Sequence, residues 1–248
     1  MDSPFLYSHY VTGHHFIGRK EDCIILGNLL RQGENTVMWG PVGAGKKSLI
    51  QQTLTNLRIT GLRFVTGEMS ALDIRTSESF MIRFGNTVIG MFASTPDEYA
   101  QIVTRYLAGT HFVFDRKVFS ETDSILSLNW DMDDDDMAAV FSLPYRLSPT
   151  RSENFYLVID EFQNIDLGDD GEKIFKAMEK AMDDGRGSGA RNFSFIFLGS
   201  QVNAMENIFR KRHFFYRRVE RVRLSVVEEK KIVEHIIKGF LASGKVID

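Results

Sequence analysis

Residues 40–48 read GPVGAGKKS directly after the apolar run Val37-Met38-Trp39, and beyond them Leu49, Ile50, Thr53, Leu54 and Leu57 fall at helical spacing. A buried strand, a loop with glycines at 40, 43 and 45, and a helix start in that order admit few folds. Glycines let the main chain wrap closely round an anion, and the helix N-terminus adds unpaired N–H groups and the positive end of its dipole. The segment therefore specifies a polyphosphate cradle, formed by Pro41, Val42, Gly43, Ala44 and Gly45 with Lys46 reaching the terminal phosphates. A glycine-rich turn without ligand is the weaker alternative, because strand and helix both stand where the cradle needs them.

A second segment, YLVIDE at 156–161, ends four apolar residues on Asp160 and Glu161, at the strand end where an α/β sheet presents its functional groups. Beside a polyphosphate, Asp160 is placed to hold magnesium through water, and Glu161 to orient and deprotonate an attacking water. The competing reading is a solvated strand end or a helix cap. One residue departs from this scheme: after the loop lysine a magnesium-binding Ser or Thr is expected, and the sequence has Lys47. An ammonium cannot coordinate magnesium and repels it if it points inward. Ser48 cannot simply substitute, because one helical step turns its hydroxyl by about 100°. Two readings stay open: Lys47 swings outward and magnesium keeps an extra water, or the site binds nucleotide with turnover weakened or lost.

Along the rest of the chain, strands alternate with helices. Strands are predicted at 36–39, 62–66, 155–160, 193–198 and 222–224, and helices at 20–32, from Leu49, around Phe80 to Met91, from Thr95 to about 107, at 137–147, from Ile174 to a stop at Gly185, at 202–209 and at 226–241. Thr76 or Ser77 caps the third helix, and Thr95-Pro96-Asp97-Glu98 is a capping box with proline at the first helical position. The 109–129 stretch has no clear assignment, the acidic run 131–136 reads as an exposed loop, and GRGSG at 185–189 reads as a flexible turn. The alternation implies a parallel sheet of five strands covered by helices on both faces. A length of 248 residues fits one main core.

Composition excludes some classes. No apolar run approaches the roughly 20 residues of a membrane span, and MDSPFLYSHYVTGHHF lacks the pattern of a secretory signal. The single Cys23 excludes an internal disulfide framework and is compatible with a reducing cytoplasm. The net charge of -3 gives no global reason for a nucleic-acid partner. Basic residues interleave with aromatics between Arg210 and Arg223, a pattern that can contact nucleic acid but reads more simply as a solvated surface. His14 and His15 do not make a metal site.

With both motifs placed, the chain resembles the AAA+ side of the P-loop ATPases, and within it the archaeal-type and signal-transducing (STAND) ATPases of prokaryotes. The matching segments are FIGRKED at 16–22, GPVGAGKKSL, IDEFQNI at 159–165, FLGSQVNAMENIF at 197–209 and YRRVERVRL at 216–224. The resemblance implies a three-layer α/β/α domain over residues 1–225, followed at 226–248 by the start of a helical lid without its nucleotide-sensing residues. It also implies ATP or ADP with Mg2+ as ligands, and ATPase or nucleotide-switch activity. Gly18 and Arg19 would line the adenine side with Phe16 and Ile17, Ser200 would be the polar sensor facing the γ-phosphate, and Arg217 or Arg218 would be an arginine finger for a neighbouring subunit's site or its own. Partners consistent with it are a second copy of the chain or a partner protein. The alternative is a non-hydrolysing module whose nucleotide is a structural prop and whose basic surface docks DNA or a protein.

Overall fold

The computed structural model describes residue 5 and residues 9–244. Parts of the N-terminal lead-in and the last four positions of the expected lid segment lie outside the described residues. Five parallel strands form the main sheet: β1 (Asn35–Trp39), β2 (Phe64–Ser70), β5 (Asn154–Asp160), β6 (Phe193–Gly199) and β7 (Val219–Arg221), in the spatial order β2-β5-β6-β1-β7. A separate antiparallel pair, β3 (Phe112–Val113) and β4 (Ser127–Leu128), lies within the stretch that sequence left unassigned.

Alternation along the three central strands sorts the core into two layers. On one face Val37, Trp39, Phe155, Leu157, Ile159, Phe193, Phe195 and Phe197 pack under α3 (Ser77–Phe92), α6 (Asp134–Leu147) and α7 (Asp169–Gly187). On the other, Met38, Tyr156, Val158, Ile196 and Leu198 meet α1 (Lys20–Arg31) and α2 (Lys46–Ile59). Every second residue of β6 on the first face is a phenylalanine, and neighbouring rings sit 5.2 and 5.5 Å apart. Each such ring contributes roughly 2 kcal/mol by removal from water, so β6 is locked into one register at the sheet centre. The three-layer α/β/α architecture and its five parallel strands are as the sequence implies.

Element limits differ in instructive ways. β2 runs to Ser70 rather than ending at 66, because Glu68 and Ser70 continue the ladder opposite Val158 and Asp160. The fifth strand is 219–221 rather than 222–224; it pairs with β1 from Asn35 to Val37, and only the Val222 N–H follows on, donating to the Val37 carbonyl. The helix expected over 202–209 divides into α8 (Val202–Glu206) and a π-helical turn, Asn207–Lys211. Helices α4 (Pro96–Tyr106) and α5 (Arg116–Thr122) complete the sequence up to α6, and the Thr95–Glu98 capping box forms as predicted. The final helix, α9 (Glu229–Ala242), follows the 226 boundary and has no buried side chain.

The acidic run is an exposed loop only over 131–133; from Asp134 it forms the start of α6. Asp133 caps α6 and exchanges hydrogen bonds with Asp136 in a capping box, so three acidic side chains fall in the first turn, where the helix dipole favours them. Asp136 is buried and accepts from the His111 backbone N–H at 2.7 Å, while its other oxygen lies 2.8 Å from His111 Nδ1. The hydrogen bond to Asp136 raises the His111 pKa above its usual value, against the opposing effect of burial. Burial pushes the Asp136 carboxyl up, but the Asp133 and His111 hydrogen bonds outweigh it and hold it low.

Nor is Gly185 a helix stop. α7 continues to Gly187, and a Cβ at 185 would come within 2.3 Å of the Tyr145 ring on α6. The glycine serves the close approach of two helices. Gly185→Ala is expected to destabilise the protein by about 1–3 kcal/mol in chemical denaturation, despite a gain of up to about 1 kcal/mol in helix propensity. Were the glycine only a helix terminator, the substitution would be neutral or stabilising.

The pair of His111 and Asp136 carries a pH signature. A histidine whose folded pKa is raised stabilises fully below its unfolded value and loses that contribution as pH rises through the folded one. The melting temperature is therefore expected to fall from about pH 6 to about pH 8, and His111→Ala should lack that component of the slope.

Candidate nucleotide site

The cradle begins where β1 ends. Gly40 donates its N–H to the Gly199 carbonyl at 3.2 Å, which ties the loop's first residue to the end of β6. The chain then turns through Ala44 N–H to Pro41 O and enters α2. Gly43 and Gly45 have φ of +79° and +83°, in the left-handed region that favours glycine, so this turn needs them. Gly45 is also the residue preceding α2, whose first turn leaves its N–H groups without partners inside the helix.

Three consecutive strand ends meet around this loop. β1 delivers residues 40–45, β6 delivers Ser200, and β5 delivers Asp160 and Glu161. Because β6 lies between β1 and β5, the carboxylates stand about 10 Å from the loop's root, at two inter-strand spacings. The cavity they border, about 570 Å3, is lined by the loop from Val42 to Ser48, by both carboxylates and Ser200, and by Phe16, Ile17 and Arg19 from the N-terminal segment. A cavity of about 640 Å3 between α6 and α7 has lysines and aspartates on its wall but no such loop.

Lys46 is buried, and its ammonium donates to the loop's own carbonyls, Gly40 O at 2.6 Å and Pro41 O at 3.0 Å. Of its three N–H donors one is left for a phosphate. Burial lowers its pKa, an effect that the charges of Glu161 and Asp160 oppose. Glu161 adopts φ +54° and accepts at one oxygen from Ser200 Oγ and Gln163 Nε2, both at 2.6 Å. Burial by itself raises the Glu161 pKa, but the Ser200 and Gln163 hydrogen bonds and the Lys46 charge prevail, and the group stays an anion below the usual carboxylate range. A carboxylate fixed in this way at a strand end can orient a water or a γ-phosphate sensor, and Ser200 is joined directly to it.

Lys47 does not swing outward. Its ammonium lies 2.8 Å from Glu68 Oε1 and 3.0 Å from Asp160 Oδ2. Burial lowers the Lys47 pKa, but hydrogen bonds to Glu68 and Asp160 overcome this and raise it, so the cation persists through the neutral range. Glu68, opposite Val158 on the α2 face of the sheet, is a site residue that the sequence reading missed. The ladder's extension past 66 is the signal that would have placed it.

Magnesium, the ion this fold implies, needs near-octahedral oxygen ligands at about 2.0–2.1 Å. Here Asp160 and Glu68 are both engaged by the ammonium. Ser48, the hydroxyl of the same turn, accepts from the Val11 N–H at 3.1 Å. With Lys47 in this position the donor set does not fit the ion. A divalent cation beside that ammonium would meet a repulsion of several kcal/mol before solvent screening.

The remaining sequence candidates divide. Arg19 lines the cavity and clamps the loop, donating to Ala44 O at 2.6 Å and through Nε to Ser225 O at 2.8 Å. Gly18 lies instead toward the segment before α9, where its Cβ position is 3.4 Å from Val227. Pro41 takes part through its carbonyl. Arg217 is not brought to the site: it precedes β7, whose Val219 pairs with Asn35 at the start of β1. The whole strand, about 16 Å, separates it from the loop, so it cannot close over its own chain's cavity. Arg218 is held by Asp183 and Glu179.

No protein-family model matches the chain. No curated protein matches it in sequence. Solved structures do match in fold. A Walker-type ATPase of Pyrococcus abyssi superposes with a TM-score of 0.61 at 16% identity, over 99% of this chain and 64% of that one. The ORC1 protein of Aeropyrum pernix, solved with DNA, gives 0.54 at 10% identity over 90% and 49%. The ORC2 protein of the same organism, solved as ADPNP-ADP complexes, gives 0.52 at 13% identity over 95% and 55%. The chain thus spans about half to two thirds of the length of these proteins. What it shares with them is the α/β fold of the P-loop ATPases.

Proposed function

We propose that the chain binds ATP and ADP at residues 40–48 and works as an AAA+ type nucleotide-dependent switch in which hydrolysis is slow or lost. The observation that carries this reading is the convergence of a two-glycine loop, Lys46, Asp160, Glu161 and Ser200 on one cavity from three neighbouring strand ends. Loop amides and Lys46 hold the phosphates, Glu161 and Ser200 meet the terminal phosphate and its water, and Phe16, Ile17 and Arg19 cover the base side. The ATPase and ADPNP-ADP neighbours support the ligand class. Membership of the archaeal-type or signal-transducing ATPases rests on the sequence segments alone.

Slow turnover is supported by the bridge from Lys47 to Asp160, which occupies the carboxylate that a hydrolytic site assigns to its metal. The same bridge favours the second reading, a non-hydrolysing module propped by its nucleotide. For DNA as the partner the support is weaker. The Aeropyrum ORC1 protein was solved with DNA, but here Phe214 and Phe215 of the basic-aromatic segment are buried, and Arg212 is paired with Asp166 and Glu172. Arg217 reaching a neighbouring copy's site remains the route by which self-association would complete catalysis.

Calorimetric titration with ATP and ADP tests the reading. Wild type is expected to bind both, and Lys46→Ala to weaken binding at least about tenfold, since a charged hydrogen bond to phosphate is lost. Unchanged binding by Lys46→Ala would remove this pocket as the nucleotide site. A nucleotide that survives purification without phosphate release on incubation selects the non-hydrolysing module.

A further inference from the structure

The Lys47 ammonium is held by two carboxylates from different strands. Glu68 comes from β2 and Asp160 from β5, and both lie on the face of the sheet that α2 covers. Lys47 stands on the first turn of α2, lines the same cavity as the phosphate loop, and keeps 45% of its side chain exposed there. An ammonium has three donors. Two are taken by Glu68 and Asp160, which leaves one for a ligand oxygen in the cavity.

We propose that Lys47 is the resident cation of this site, taking the position that a divalent metal holds in a hydrolytic P-loop, so that the protein binds its nucleotide free of metal. The inference rests on the reading of the cavity as a nucleotide pocket and says which form of the nucleotide enters it. Without Lys47, Glu68 and Asp160 would stand as neighbouring anions at the edge of the pocket without the ammonium they now share, an arrangement that favours a bound cation. With it, the cations Arg19, Lys46 and Lys47 balance the anions Glu68, Asp160 and Glu161 within the chain itself. The next hydroxyl of the turn, Ser48, already accepts from the Val11 N–H of the N-terminal segment.

Binding of ATP and ADP to the full chain is measured in EDTA and in magnesium chloride. Wild type is expected to show dissociation constants within about twofold of each other in the two buffers, whereas Lys47→Thr should bind at least about tenfold more weakly in EDTA than in magnesium. With manganese as probe, paramagnetic resonance of protein with ATP should show protein-coordinated ion for Lys47→Thr and none for wild type. A wild type that needs magnesium for tight binding, or that coordinates manganese, overturns the proposal while leaving the nucleotide pocket in place. Absence of binding in both buffers overturns the proposal and the pocket together. The wild-type comparison decides the matter even if Lys47→Thr fails to fold.

Discussion

Everything at the site depends on the main-chain path from Trp39 to Lys46. Two residues in the left-handed region, Gly43 and Gly45, reverse the chain between a fully buried strand and a helix, and a Cβ at 45 would lie 2.8 Å from Arg19 Nη1. A side chain at either position would be strained by its φ, and one at 45 would also displace the arginine that braces the loop. The path is rigid at its start because β1 is flanked by β6 and β7, and because Gly40 is bonded to Gly199. A loop anchored in this way holds its amides in a fixed arc, which is the property anion recognition requires.

Electrostatics then sets what the arc can accept. Lys46 and Lys47 are adjacent in sequence yet serve opposite surroundings: one turns into the loop's carbonyls, the other crosses to the carboxylates of β2 and β5. Burial lowers the Lys46 pKa, while the carboxylates raise that of Lys47, so the two ammonium groups reach their charge state by different physics. A hydroxyl at 47 would have left the neighbouring Glu68 and Asp160 carboxylates without the ammonium they now share. The substitution is therefore matched by Glu68, and the pair has to be considered as one feature.

Much of this was legible in the sequence because the cradle and the acidic pair are local motifs, and the strand and helix around the loop announce themselves by periodicity. β5 and β6 could be read as directly, since buried parallel strands are near-continuous apolar runs. What escaped was non-local. Glu68 joins the site only through the β2–β5 register, Gly185 is explained by a ring on another helix, and the burial of Asp136 is explained by His111, which lies just before β3. Arg217 was the exception to non-locality: it precedes a strand of a parallel sheet whereas the glycine loop follows one, so chain order already places the two at opposite ends.

The cavity is also joined mechanically to the chain's last described helix. Arg19 holds the Ala44 carbonyl of the loop with one nitrogen and the Ser225 carbonyl with another, while Asp22 on α1 accepts from both the N–H and the hydroxyl of Ser225. Ser225 stands four residues before α9, and Val227 packs at Gly18, immediately before Arg19. A ligand that displaced Ala44 would have to break or carry with it the Arg19 bridge, and through it the segment leading into α9. α9 has no fully buried side chain and rests on the N-terminal segment, with the His15 and Phe5 rings against His235 and Phe5 against Phe240, so the hydrogen bonds at Arg19 and Asp22 are, among the described residues, one of two sets of contacts that place the helix. The same arginine that braces the glycine loop thus also holds the segment that leads into α9.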